Sequence, residues 1–551
     1  MPSTTHSAEE AQATLWTPLT YSMFRAIWIA SLVSNVGTWM QNVAGVWLVT
    51  TLTTSSLVVA LMQTATSLPA FMLSVPAGAV ADLVDRRKML LATQGFMAVV
   101  ATLLGVLTLS GGISAPGVLT FTFLLGLGTA FNGPVWQTIT PELIPRPVLP
   151  FALTLNGVSM NVARAVGPAV GGLIIAYFSP GYVFLLNGLS FLGTWLVVYG
   201  WKRRAEVSNL PAEDFIGALR AGIRYVQYSP AIYAILVRAF AFTFGASAMW
   251  ALLSVVIARR LQLDSGTYGV MLSWLGAGAV TGAFTMGKIR QRLTLNGRVL
   301  LAIGLFAGTN LALAFVPSAY GLYPVMFLAG TAWLMVMTSF NTTVQLNLPR
   351  WVQARVLSIY MLVFQGGMTL GSIVWGSLAD RTSLGLALTV AAGWLLASVL
   401  LAIPFPIRSA EGLNLAPAGH WPEPDVRTDI DPDDGPVVVM IAYQVAAADL
   451  PAFRQAVGAL VRLRLRDGAL RAGIFTDVAN PAKITEFFTV ATWGEHLRQH
   501  HRFTKEDQLV EARVLQFHAG PAPPGVTHFI GFPMSSNVPL APPFENLEGQ
   551  P

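Results

Sequence analysis

The sequence predicts an all-α polytopic membrane protein, with twelve transmembrane helices in two six-helix halves and a small α+β domain after them. Three observations predict it. Of 551 residues, 54% are hydrophobic and only 11% charged, less than half the roughly 25% charge of soluble domains. The apolar residues gather into twelve runs of bilayer length. The cations between those runs crowd into alternate gaps. There is no cysteine, which excludes disulfides, thiolate metal sites, iron–sulfur clusters and cysteine nucleophiles.

A bilayer needs about 20 mostly apolar residues per helix. Such runs lie at about 24–49, 55–81, 89–109, 117–139, 152–178, 182–201, 231–257, 267–287, 299–316, 322–347, 355–379 and 384–404. The first is too long for a signal-peptide core and has no basic stretch just before it, so residues 1–23 are expected to stay as a cytoplasmic tail. One set of gaps holds Arg86, Arg87, Lys88, Arg146, Lys202, Arg203, Arg204, Arg220, Arg224, Lys288, Arg290, Arg292, Arg298, Arg350 and Arg355. With Arg25 and Arg408 at the ends, these are 17 cations. The opposite set has three: Arg259, Arg260 and Arg381. Cationic loops stay cytoplasmic, so both termini should face the cytoplasm of a cell whose inner (plasma) membrane holds the protein. Residues 1–410 carry 22 Lys/Arg against 10 Asp/Glu. This basic balance serves topology, so the implied partner is the lipid bilayer and not nucleic acid, and no cofactor is expected.

The chain repeats itself at an offset of 204. Gly78 falls on Gly282, Arg86 on Arg290, Lys88 on Arg292, Pro145 on Pro349, Arg146 on Arg350, Gly167 on Gly371 and Gly172 on Gly376. The halves are thus 24–201 and 231–404, joined by a basic linker, 202–230. The stretch Phe215–Val226 has helical spacing suited to the inner membrane surface, or to a simple tether. Parallel halves can rock about a site near the midplane.

Residues after the second span carry a resemblance. Gly78, then Asp82 four residues on, then Asp85, Arg86 and Arg87, resembles the loop signature of the major facilitator superfamily, although Leu83 and Asp85 depart from it. In the fifth span Gly167, Pro168, Gly171 and Gly172 look like the antiporter signature of exporters in that superfamily. Proline bends a helix, and small residues four apart allow close packing; Gly367 and Gly371 repeat that face in the eleventh span. With Ser67–Phe71, Pro76–Gly78, Asn161–Pro168 and Trp250–Leu253, the chain is similar to the bacterial exporters called transmembrane secretion effectors, the branch that includes the enterobactin exporter. The resemblance implies the major facilitator fold and secondary active export of a small organic molecule (siderophore, antibiotic or drug-like), coupled to protons.

The substrate-path candidates are the polar and aromatic residues inside the spans. An intramembrane arginine costs about 2.5–3.5 kcal/mol by insertion scales, so Arg164, at the middle of the fifth span, should face a cavity or a partner. Arg238, about two turns into the seventh span, reads either as a path residue or as a snorkelling one. Asn35, Trp39, Gln41 and Asn42 stand in the first span, Asn132, Trp136 and Gln137 in the fourth, Trp250 in the seventh, Asn341 and Gln345 in the tenth. Amides also join helices by hydrogen bonds. No Asp or Glu lies within any predicted span, leaving Asp82, Glu142 and Asp380 at span edges as the nearest protonatable groups.

Residues 405–435, rich in proline and acid, read as a solvated linker. A β–α–β–β–α order over 436–518 suggests a ferredoxin-like cytoplasmic domain. Around Trp493, His496, His500 and His501 it resembles the antibiotic-biosynthesis-monooxygenase type of dimeric α+β barrel. That resemblance implies self-association through this domain, and it raises a membrane-tethered oxygenase or a regulatory protein as rivals to the transporter, beside an importer of the same fold. Fold similarity alone carries no catalysis, so no catalytic residue and no metal ligand is assigned. Residues 519–551, with Pro521, Pro523, Pro524, Pro542 and Pro543 among them, are expected to lack fixed structure.

Overall fold

The computed structural model describes residues 14–531, apart from 146, 202–214, 409–411, 423, 425, 427 and 428, and apart from some side chains such as those of 74–83. Twelve long helices alternate across the first unit, in two sets of six: α1 Ser22–Leu52, α2 Ser56–Leu83, α3 Arg86–Leu109, α4 Ala115–Leu143, α5 Leu149–Tyr177 and α6 Pro180–Gly200; then α8 Pro230–Val255, α9 Ser265–Arg292, α10 Leu295–Phe315, α11 Ala319–Leu346, α12 Arg350–Arg381 and α13 Leu384–Ser398. Eleven are long and apolar enough to cross a membrane. The first is as long, but Ser34, Asn35, Gln41 and Asn42 dilute it. A short helix, α7 Phe215–Gln227, lies between the sets.

Local chemistry sets the helix ends. Ser114, Ser179, Asp264, Thr294 and Ser383 each accept a backbone N–H of the first turn, satisfying donors that have no intrahelical partner. Proline opens α4, α5 and α6, where a missing N–H costs nothing.

Packing follows the repeat. In the first half α3 lies along α6 and α2 along α4, and α1 meets both α5 and α6. Gly167 and Gly171 of α5 seat against Trp39, Val36 and Met40 of α1, and Gly367 and Gly371 of α12 seat in the same way against Phe240, Thr243, Phe244 and Ser247 of α8. The Thr50 hydroxyl of α1 bonds the Ser254 hydroxyl of α8 at 2.9 Å. These two residues are 204 apart, the repeat offset, so a direct bond between them marks the pseudo-two-fold axis.

The second unit comprises 216–230, 346–356 and 410–551. Its sheet, β1 Val437–Gln444, β2 Arg471–Thr476, β3 Lys483–Val490 and β4 Gly525–Ile530, is antiparallel in the order β2-β3-β1-β4, the ferredoxin-like arrangement. Helices α14 Leu450–Asp467, α15 Trp493–Arg502 and α16 Lys505–Leu515 complete it. Tyr443, Phe453, Val457, Leu460, Ile484, Phe503 and Val514 form one part of its core.

Three sequence expectations are corrected. The stretch from 494 to 517 is two helices rather than one, because Thr504 and Asp507 form a capping box that starts α16. Strand β4 lies inside 519–551, where no fixed structure is expected. Its prolines mark only the approach, and Val526 to Ile530 pair with β1 from Val437 to Ile441. Residues 532–551 lie outside the described part. The linker is not simply solvated: Pro417 bridges Thr504, and Trp421 is packed into the domain.

Candidate functional site

Arg164 stands midway along α5, its guanidinium 5.6 Å from the centre of the Trp39 ring on α1. Gly167, one turn on, lets α5 approach this close: a Cβ there would strike Trp39 and the Val36 carbonyl. On the other side of α5, the backbone of Arg164 and Ala165 meets Gly276 of α9. Arg164 therefore sits where the first half touches the second, half-buried, against an aromatic face that favours a cation.

The other candidates divide. Asn35 and Asn42 are half-buried on α1, without a side-chain hydrogen bond among the described residues. Gln41 accepts from Asn187 of α6 at 2.6 Å, and Asn132 accepts from Thr93 and Gln94 of α3; both amides join helices within one half. Trp136 packs beside Met89 and Val135. The Gln137 side chain lies outside the described part. Arg238 bonds Asn296 at 2.6 Å, and Asn296 in turn bonds the backbone of Ile407, so this arginine serves the base of the second half. Trp250 meets Trp333 edge-on at 5.4 Å. Gln345 donates to Asn341 on the same helix.

The basic loop between α2 and α3 turns toward its own half. Asp85 caps α3 by accepting the Lys88 N–H. Arg86 pairs with Glu142 at 2.5 Å, and Arg87 donates to the carbonyls of Val198 and Tyr199. The surroundings of Gly78 and the Asp82 side chain lie outside the described part.

Among the described residues, contacts between the halves run from mid-bundle to the cation-poor end. Gly172 faces Gly269 and Ser265, backbone against backbone. Thr64 reaches Thr369 and Ser372, and Trp47 stacks with Tyr268. At the rim, Asp380 of α12 accepts from the Ser55 hydroxyl and the Ser56 N–H at the start of α2. Arg259, in a π-helical turn ending α8, donates to the carbonyls of Thr53 and Thr54 at the end of α1, both at 2.7 Å. Sequence reasoning counted Asp380 only as a protonatable group at a span edge and Arg259 only for topology, and assigned neither to a contact between the halves. The available signal was that Arg259 is one of only three cations on that side.

The soluble domain buries a polar network. Arg464 donates to Glu486 at 3.0 Å and lies 3.6 Å from Glu511. Tyr443 also donates to Glu486. Trp421, from the linker, lies over Arg464 at 4.7 Å, against Phe503 at 4.4 Å, and donates to Glu511. The chain itself thus fills this face of α14 and α15. Beside it His496 of α15 meets His500 and His528, rings 5.0 and 4.8 Å apart. No group of three His, Asp or Glu among the described residues is placed to hold a metal.

Burial, with His528 and His500 alongside, pushes the His496 imidazole down to about 3 from its ordinary 6.5. Neutral in the fold, it takes up a proton on unfolding in acid. Stability is therefore full above 6.5 and falls as pH drops below it. Going from pH 7.5 to 5 should cost the domain about 2 kcal/mol through His496 alone. Hydrogen exchange of β3 amides in the full chain reads this, and protection that stays level or rises in acid refutes it.

A model of the transmembrane secretion effector family matches residues 13–536. The chain is 26% identical over 397 residues to the enterobactin exporter EntS of Escherichia coli O1:K1, spanning 69% of this chain and 91% of that one. It is 23% identical over 372 residues to the multidrug efflux pump Tap of Mycolicibacterium fortuitum, spanning 65% and 89%. It is also 23% identical over 365 residues to the staphyloferrin A transporter of Staphylococcus aureus, spanning 65% and 90%. Among solved structures, the nucleoside transporter NupG superposes with a TM-score of 0.58 at 14% identity, over 70% of this chain and 99% of that one. A bacterial homolog of the human lysosomal transporter Spinster, inward-facing and unoccupied, gives 0.52 at 14%, over 69% and 94%. These likenesses are to transporters, not enzymes. With the family match running nearly end to end over two six-helix halves, the chain belongs to the transmembrane secretion effector family and is a multi-pass membrane transporter of the major facilitator type.

Proposed function

We propose that this transporter exports a small organic molecule, siderophore-like or drug-like, by alternating access driven by the proton gradient. It works in the inner membrane with both termini in the cytoplasm. The carrying observation is the one-sided seam. Among the described residues, the halves bond each other from mid-bundle to the cation-poor end, while Arg86 and Arg87 at the other end bond within the first half. With the basic loops on the cytoplasmic side, this is the state closed to the outside, and Arg164 with Trp39 stands at the depth where a midplane site belongs.

Named cargoes of the relatives, enterobactin and staphyloferrin A, support a bulky polar substrate, and a cation in mid-membrane suits an anionic or electron-rich one. Inverted membrane vesicles are the test, with enterobactin, staphyloferrin A and a fluorescent dye as probes. An exporter accumulates at least one of them when a proton gradient is imposed and loses it on adding an uncoupler. Accumulation in right-side-out vesicles alone would reverse the direction.

Self-association through the soluble domain is part of this reading. The sheet face turned away from the helical core carries Met440, Phe475 and Phe529, each exposed, a suitable surface for a second copy. Phe475→Glu should then lower the native mass in detergent.

A further inference from the structure

The second unit takes in more than the C-terminal domain: residues 216–230, which run into α8, belong to it. Helix α7 buries Ala221, Tyr225 and Val226 and leaves Arg220, Ile223 and Gln227 exposed. Those three are spaced by three and four residues, so they form a single face. Beside that face lies a cleft of about 290 Å³, lined by Arg220, Ile223, Arg224, Gln227 and Tyr228 and, just before β2, by Leu470. All six residues lie within the same unit.

The cleft is short of negative charge. Arg224 reaches the Gly468 carbonyl at 3.3 Å and Glu495 at 3.4 Å, both long, and its Nε is buried without a partner among the described residues. Glu495 is already shared with Arg502 at 2.5 Å and Arg498 at 2.9 Å. On the buried side of α7, Arg466 lies 5.2 Å from the Tyr225 ring and is held between Asp467 and Asp507, 2.7 Å from each. Arg220, at the rim, makes no ion pair among the described residues. Five arginines (220, 224, 466, 498 and 502) thus stand against three carboxylates (467, 495 and 507). Burial draws the Arg224 guanidinium below its ordinary value in spite of Glu495. A phosphate would supply the missing charge through shorter bonds, about 2.7–2.9 Å and roughly twice as strong as neutral ones. Arg220 and Arg224 are one turn apart and can grip it together.

Chain continuity puts the cleft at the edge of the bilayer. Ser229 alone separates Tyr228 from Pro230, the first residue of α8. The span Pro230–Arg260 has 31 residues, about 46 Å at 1.5 Å per residue, against about 40–45 Å for a bilayer with its headgroups. Its ends therefore stand at headgroup depth, and Tyr228 is within about 7 Å of one of them. Ile223 and Leu470, 43% and 58% exposed, are apolar surface that water disfavours and an acyl chain would cover.

We propose that this cleft binds the anionic headgroup of a phospholipid from the leaflet where α8 begins. The phosphate lies between Arg220 and Arg224, its polar link on Gln227 and Tyr228, and an acyl chain over Ile223 and Leu470. The site requires only that the chain be embedded in a bilayer, so it stands whichever way the transporter runs.

Hydrogen exchange of Arg220–Tyr228 in the full-length protein tests this, in nanodiscs of phosphatidylcholine alone or mixed with phosphatidylglycerol. Phosphatidylglycerol should slow exchange across α7 at least fivefold. Arg220→Gln, a change at an exposed side chain, should remove most of that protection without disturbing the fold, and Arg220→Gln with Arg224→Gln all of it. The pair Arg454→Gln and Arg462→Gln, both exposed on α14, removes the same charge and should leave the protection in place. Equal exchange in both lipids, or a loss as large in the α14 pair as in the α7 pair, overturns the site. Soluble glycerol 3-phosphate that protects α7 in phosphatidylcholine discs as strongly as phosphatidylglycerol does would assign the cleft to a free phosphorylated compound and overturn the lipid.

Discussion

Replacing Asp380 by asparagine and Arg259 by glutamine together will open the cation-poor end of the bundle. Each side chain completes a helix terminus of the opposite half. The Asp380 carboxylate accepts from Ser55 and Ser56 at the start of α2, where unpaired N–H groups and the helix dipole both favour an anion. Arg259 donates to the carbonyls of Thr53 and Thr54, just past the end of α1, and to the Ser56 hydroxyl at 3.3 Å, beside a terminus that favours a cation. The charges come only from the second half and the helix ends only from the first. Asp380 is exposed, so water limits its share to about 0.5–1 kcal/mol. Arg259 is half-buried, and its charge-assisted bonds should contribute about 1.5 kcal/mol. A combined loss near 2 kcal/mol is about a thirtyfold shift between the two states. In this cysteine-free chain, labelling of a single Ser254→Cys probe on the pseudo-two-fold axis by a membrane-impermeant maleimide should rise by about that factor in the double variant and less in each single one. An unchanged rate would mean that the apolar seam beneath, at Gly172, Gly269 and Gly376, closes the outer side unaided.

Most of the fold could be read before any coordinates, because the bilayer demands long apolar runs and the repeat offset ties the halves together. Partner choice could not. Gln41 and Asn35 stand six residues apart on α1, and only the rotational setting of that helix sends Gln41 to Asn187 and leaves Asn35 half-buried beside the path. Asn132 is caught by Thr93 and Gln94 for the same reason. The linker misled through composition. Its prolines and acids suit a solvated chain, but Trp421 packs on Arg464 and Phe503 and Pro417 bridges Thr504, which fix it on the domain. Strand β4 is six residues behind a run of prolines, and its pairing with β1 spans more than eighty residues of sequence. Asp380 lies more than three hundred residues from Ser55, so nothing local announces that they meet.

The arginine in mid-span yields the second large effect. Arg164 has one described neighbour of note, the Trp39 ring, and a cation over an aromatic face contributes roughly 0.5–2 kcal/mol. Keeping a guanidinium at that depth costs about 2.5–3.5 kcal/mol by insertion scales. The contact does not offset the cost, which separates two roles by sign. If Arg164 were structural, Arg164→Gln would lower thermal stability in detergent. If it holds substrate, the same variant should be at least as stable as the parent while kcat/KM for an anionic probe falls twentyfold or more, since about 1.4 kcal/mol is tenfold. Trp39→Phe keeps a face for the cation and should retain much of the transport that Trp39→Ala loses. A stable, fully active Arg164→Gln would remove this arginine from the path and leave Asn35 and Asn42 as the polar groups to test next.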